Sequence, residues 1–117
     1  VLNGVPVQVK HNGLLIHAGC FGGIWVTEII REVRGHDEPH QEAVFDAILR
    51  RLASEDPTLP STWWFGSFWA SCRMWFAAAL PKTKIVAMQP GPRNFDEGRR
   101  NVGQTICRIE CISCPEW

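Results

Sequence analysis

The sequence predicts an α/β fold built around a central βαβ unit, preceded by a helical and hairpin N-terminal segment. Three observations carry this expectation. Trp63-Trp64-Phe65 and Lys84 to Met88 are short β-prone runs, and between them Ser67 to Leu80 is an apolar stretch of helical length. Gly66 stands where a strand must turn sharply into that helix, Ser67 is placed to cap it, and Pro81 with Lys82 supplies the stop. A strand, a crossover helix and a second strand imply that the two strands run parallel.

Composition narrows the classes of function. The 117 residues suffice for one domain with a modest core. Twelve basic and twelve acidic residues cancel, so global charge makes no case for a nucleic-acid or anionic-membrane partner. Six Trp and six Phe in so short a chain predict apolar surface in want of a partner. The longest fully apolar run, Met74 to Leu80, is too short to span a bilayer, and no basic leader precedes an apolar run at the start. Five cysteines, an odd number without the spread of a disulfide framework, suit a reducing, cytoplasmic setting.

Taken in order, the chain divides into residues 1–60 (hairpin and helices), 61–102 (the βαβ core) and 103–117 (a cysteine-containing tail). Val5 to Val9 and Leu14 to His17 flank Asn12-Gly13, a hairpin signal. The glycine-rich GCFGG that follows lacks the Lys-Ser or Lys-Thr of a phosphate loop and reads as a flexible connection. Ile24, Trp25, Ile29, Ile30 and Val33 recur at roughly helical spacing, with Arg31, Glu32 and Arg34 opposite and Gly35 as terminator. His36-Asp37-Glu38-Pro39-His40 packs metal-ligand types together. Acidic residues and Pro equally suit the first turn of a helix with Asp37 as N-cap, and that is the expectation taken here. Val44, Phe45, Ile48, Leu49 and Leu52 then form an apolar stripe, with Glu42, Asp46, Arg50 and Arg51 facing water.

The central helix, apolar nearly all round, is expected to be buried on more than one side, with Trp69, Trp75 and Phe76 in the core. Pro92 to Val102 reads as a charged helix with Phe95 and Val102 inward. In the tail, Cys107, Cys111 and Cys114 are spaced as in the iron–sulfur motif of radical enzymes, but Ser113 replaces the usual aromatic residue and only three residues follow Cys114. Three thiolates can also collect zinc, with His or Cys20 as a fourth ligand. An unstructured tail that binds no metal is the expectation.

The carboxyl ends of a βαβ unit are where ligands bind: N–H groups at the helix start attract anions, and a polar residue ending the second strand can hold a ribose. Gln89 follows Gly66 by twenty-three residues, near the spacing of about twenty for a ribose-binding residue. A nucleotide-like ligand is the corresponding expectation.

Three segments, HDEPHQEAVFDAILRRL, WWFGSFWASCRMWFAAALP and IVAMQPGPRNFDEGRRN, together resemble the FkbM family of S-adenosylmethionine-dependent methyltransferases. Gly66 matches the family's first glycine, Gln89-Pro90-Gly91-Pro92 its acidic-proline motif, and Asn94 to Asn101 the helix after it. The resemblance spans about residues 1–102 and is most specific from Gly66 onward. It implies a partial Rossmann-like methyltransferase fold and S-adenosylmethionine as cofactor. Gly66, Ser67 and Phe68 would line the methionine end, Gln89 and Pro90 would sit near ribose and adenine, and Glu38 would approach from the preceding helix. The implied reaction moves a methyl group from the sulfonium to the hydroxyl of a small-molecule, sugar or polyketide acceptor, with alignment and proton removal as the enzyme's contribution. No general base is assigned. The family places an acid where this chain has Trp64 and a Glu where it has Gln89.

Two further functions are compatible with the residues. One is a non-catalytic interaction domain with a Trp-rich apolar surface, prone to self-association. The other is a small cysteine-rich metal-binding protein.

Overall fold

Local signals in the first third of the chain produce a hairpin and two helices. β1 (Val7–Val9) and β2 (Leu15–His17) pair antiparallel with Gln8 opposite Ile16. At the turn Gly13 takes φ +82° and the Asn12 side-chain oxygen accepts the Leu14 N–H at 3.2 Å. The computed structural model describes residues 1–20, 23–66, 71–104 and 109–113; the GCFGG connection lies partly outside them.

α1 (Ile24–Glu32) closes with a Schellman arrangement: Gly35 N–H donates to Ile30 O at 2.6 Å and Arg34 N–H to Arg31 O at 3.3 Å. Both Arg34 and Gly35 are left-handed, at φ +56° and +94°. Of the apolar set expected to face inward only Ile30 is buried, with Val26 beside it; Ile24, Trp25, Ile29 and Val33 are exposed.

α2 (Pro39–Glu55) starts with Pro39 in its first turn and Glu38 at the N-cap, where no side-chain capping bond forms. Asp37, expected as the cap, instead pairs with Lys10. The helix is also rotated from its expected facing. Leu49 is buried, but Val44 and Ile48 are exposed, and Glu42, expected in water, is buried. The reason is Lys10: a buried ammonium needs an anion, and Glu42 turns inward to supply it.

The second sheet follows. β3 (Ser61–Phe65) and β4 (Lys84–Gln89) pair parallel, with Ser61 opposite Lys84 and Phe65 opposite Met88. α3 (Ser71–Ala79) lies between them in the chain. α4 (Pro92–Gln104) then leads to β5 (Ile109–Ser113), which pairs parallel with the other edge of β4. The sheet order is β3-β4-β5, so two strand–helix–strand crossovers occur in succession. The tail expected to be unstructured thus contributes a strand. Its Ile-Glu-Cys-Ile alternation is weak alone, but the unpaired backbone of β4 gives it a template.

The described residues form a mixed α/β fold of four helices and two small sheets. Two apolar clusters make its core. Leu14, Ile16, Cys20, Val26, Ile30 and Met74 join the hairpin to α1 and α3. Leu49, Phe76, Ala77, Leu80 and Ile85 join α2, α3 and β4. Trp75 packs against both. On the far side of the hairpin, the buried Asn101 of α4 accepts the His17 N–H at 2.6 Å and faces Cys20 Sγ at 3.7 Å. Among the described residues no helix is long and apolar enough to cross a membrane.

Candidate functional site

Gly66 and Gln89 end neighbouring parallel strands, each one residue past the Phe65–Met88 pair. Gly66 takes φ +66°, the left-handed backbone a sharp exit from a strand calls for. Ser67 and Phe68 lie outside the described residues. Gln89 is only 6% exposed, and a Cβ at Gly91 would come within 3.2 Å of its Nε2. Pro90 is exposed, as is Glu38 at the start of α2. Arg73, buried on α3, reaches back to donate Nη2–H to Gly66 O at 2.8 Å, its guanidinium 5.1 Å from the Trp64 ring centre.

These side chains do not fit S-adenosylmethionine. The resemblance places one carboxylate on the cofactor's amino group and another on its ribose hydroxyls, and the two positions concerned hold Trp64 and Gln89. Trp64 is spent on packing, edge-on to Phe45 and Phe76 at 6.1 and 5.6 Å. The Arg73 guanidinium adds a positive charge beside Gly66, where the cofactor's own cationic end would have to approach. No transfer step follows from these residues.

The same strand presents a different surface. Side chains alternate along β3, so that Trp64 faces the helices while Trp63 and Phe65 point away, 59% and 68% exposed. Among the described residues β3 pairs only with β4, which leaves its outer backbone edge open.

A third cluster lies where the hairpin tip meets the α1–α2 joint. Lys10, 4% exposed, donates from Nζ to Asp37 Oδ1 and, at 2.8 Å, to Glu42 Oε1. The Asp37 backbone N–H also donates to Glu42 Oε1, at 3.3 Å. Glu42 Oε2 is in hydrogen-bond contact with His36 Nδ1 and lies 3.6 Å from His11 Nδ1. The two imidazoles stack at 3.9 Å with planes 16° apart, and Trp75 meets His11 edge-on at 5.0 Å.

Burial works against a charge on Glu42, but hydrogen bonds from Asp37, Lys10 and His36 outweigh it and hold its carboxyl at about 2. Asp37 moves the opposite way: its burial, then its contact with the Glu42 carboxylate, raises its carboxyl despite Lys10.

The sequence pattern suggests Asp37 as a helix cap and Glu42 in solvent, and gives no sign of Lys10 or His11. No local spacing links Lys10 to Glu42, thirty-two residues on. In the tail, Cys111 lies on β5, while Cys107 and Cys114 fall outside the described residues. In comparisons with known proteins, no family model matches the chain and no curated protein matches it as a relative.

Proposed function

We propose that the chain is a non-catalytic interaction domain that associates with a second copy of itself along β3. The observation that carries the reading is the outward pair Trp63 and Phe65, large apolar side chains in solvent on a strand with an open edge. An open edge offers unpaired N–H and C=O groups as a template, and aromatic side chains on alternate positions add apolar area to the pairing. Zero net formal charge at pH 7 removes the general repulsion that keeps like copies apart.

Sedimentation equilibrium over a wide concentration range tests the proposal. The chain should shift from monomer to dimer as concentration rises. Trp63→Lys combined with Phe65→Lys should stay monomeric with an unchanged circular dichroism spectrum. A chain that is monomeric throughout, or a folded double variant that associates as strongly, would rule the reading out.

A second reading, a remnant of an FkbM-type methyltransferase, is supported by the resemblance and by Gly66 and Gln89 standing side by side at the carboxyl ends of parallel strands. It has less behind it, given Trp64, the buried Gln89 and the nearby Arg73. Saturable heat on titrating S-adenosylmethionine into the folded chain would favour it over the interaction reading.

A further inference from the structure

We propose that His11, His36 and Glu42 bind one divalent transition-metal ion of the zinc class. The three side chains come from the hairpin tip, the α1–α2 joint and the first turn of α2, and their ligand atoms all lie within 4.8 Å of one another. Two imidazoles and one carboxylate are a donor set that suits zinc and its neighbours rather than calcium or magnesium, which prefer oxygen ligands throughout.

The spacing of the ligand atoms is close to what such an ion requires, and one of the stacked imidazoles has to turn so that both in-plane lone pairs meet on one centre. Ligand atoms about 2.0–2.1 Å from a tetrahedral centre stand about 3.3 Å from each other. His11 Nδ1 and Glu42 Oε2 are already 3.6 Å apart. His36 Nδ1, in contact with the same oxygen, has to draw back by less than about 1 Å to admit the ion. His36 is the most exposed of the three and follows the left-handed Gly35, so it has room to do so.

Two observations point to a ligand rather than to a finished hydrogen-bond network. His11 Nδ1 is buried and makes no hydrogen bond among the described residues, although it lies 3.6 Å from Glu42 Oε2. A buried ring nitrogen left this way costs free energy unless something occupies it. Glu42 is also divided between two tasks. Its Oε1 is held by Lys10 and the Asp37 N–H, which fixes the carboxylate plane and leaves Oε2 as a single monodentate ligand. Lys10 stays on the far oxygen, where Asp37 shares its charge. Three protein ligands leave a fourth position for water or a partner's side chain.

The probe is zinc itself, added to full-length chain previously stripped with chelator. Calorimetry and elemental analysis after gel filtration should give one zinc per chain, and cobalt in its place should give the visible absorption of a four-coordinate ion. His36→Ala, at a half-exposed position that tolerates truncation, should weaken binding by at least about tenfold. His11→Ala should do the same. His40→Ala, exposed in the first turn of α2, and Cys111→Ser, on β5, should bind as the parent does. A folded parent chain that takes up no stoichiometric zinc overturns the proposal. So does binding that survives both His36→Ala and His11→Ala, or that disappears with Cys111→Ser.

Discussion

His11 and His36 stack face to face with ring centres 3.9 Å apart, and the residue that brings them together is Gly35. The His11 N–H donates to Gly35 O at 3.0 Å, and a Cβ on Gly35 would overlap the His11 nitrogen and stand 2.9 Å from its Cα. The missing side chain is thus the seat of the hairpin tip.

Gly35→Ala should therefore lower stability by at least about 2 kcal/mol, because backbone strain at φ +94° adds to a steric overlap with backbone that cannot swing aside. Urea unfolding of the two chains measures it. A loss below about 0.5 kcal/mol, the range of an ordinary surface substitution, would mean that the hairpin does not sit against this position.

The lowered carboxyl of Glu42 sets the acid limit of the metal-free fold. Its folded value of about 2 lies below the ordinary 4.5, so its contribution is fully present above pH 4.5 and is lost as pH falls toward 2. Asp37, whose carboxyl is raised, acts with the opposite sign: it favours the fold below its ordinary 3.8 and costs stability as pH rises through its folded value. The two partly offset, leaving an expected loss of about 1–3 kcal/mol on acidification through that window. With chelator present, Glu42→Gln should flatten stability between pH 4.5 and pH 2 relative to the parent. An equally steep decline in both chains would place the acid-sensitive group elsewhere.

Gln89→Glu separates two accounts of the end of β4. On the resemblance alone, a carboxylate there should tighten binding of S-adenosylmethionine. In the fold, Gln89 is buried, and a charge at that place is poorly solvated. The variant should be less stable at pH 7, by about 1–3 kcal/mol, and the loss should shrink at pH 5 as the new carboxyl takes up a proton. A variant that matches the parent in stability at both values would show that the position is open to water and available to a ligand.

What could be read beforehand follows how far each decision reaches along the chain. Asn12-Gly13 turns its hairpin by backbone preference, and Gly66, Pro81 and the two β-prone runs punctuate a crossover; each signal acts within a few residues. The facing of α2 departs from its apolar stripe because the stripe contains more hydrophobic positions than the core accepts. Val44 and Ile48 lose their place to Glu42, and the decision rests on a lysine thirty-two residues away. β5 is illegible in the sequence for a related cause. Ile109 to Ser113 becomes a strand by pairing with β4, so its structure is a property of the sheet more than of the segment. The histidine pair combines both cases: His36 stood in a visibly ligand-rich stretch, while His11 carried no signal until the hairpin folded back.

Trp75 has a consequence for cooperativity. One ring closes both apolar clusters, so neither can loosen without exposing part of the surface that stabilises the other. The hairpin end and the sheet end of the molecule are thereby coupled through a single turn of α3 and should come apart in one transition, even though among the described residues the two sheets are separate.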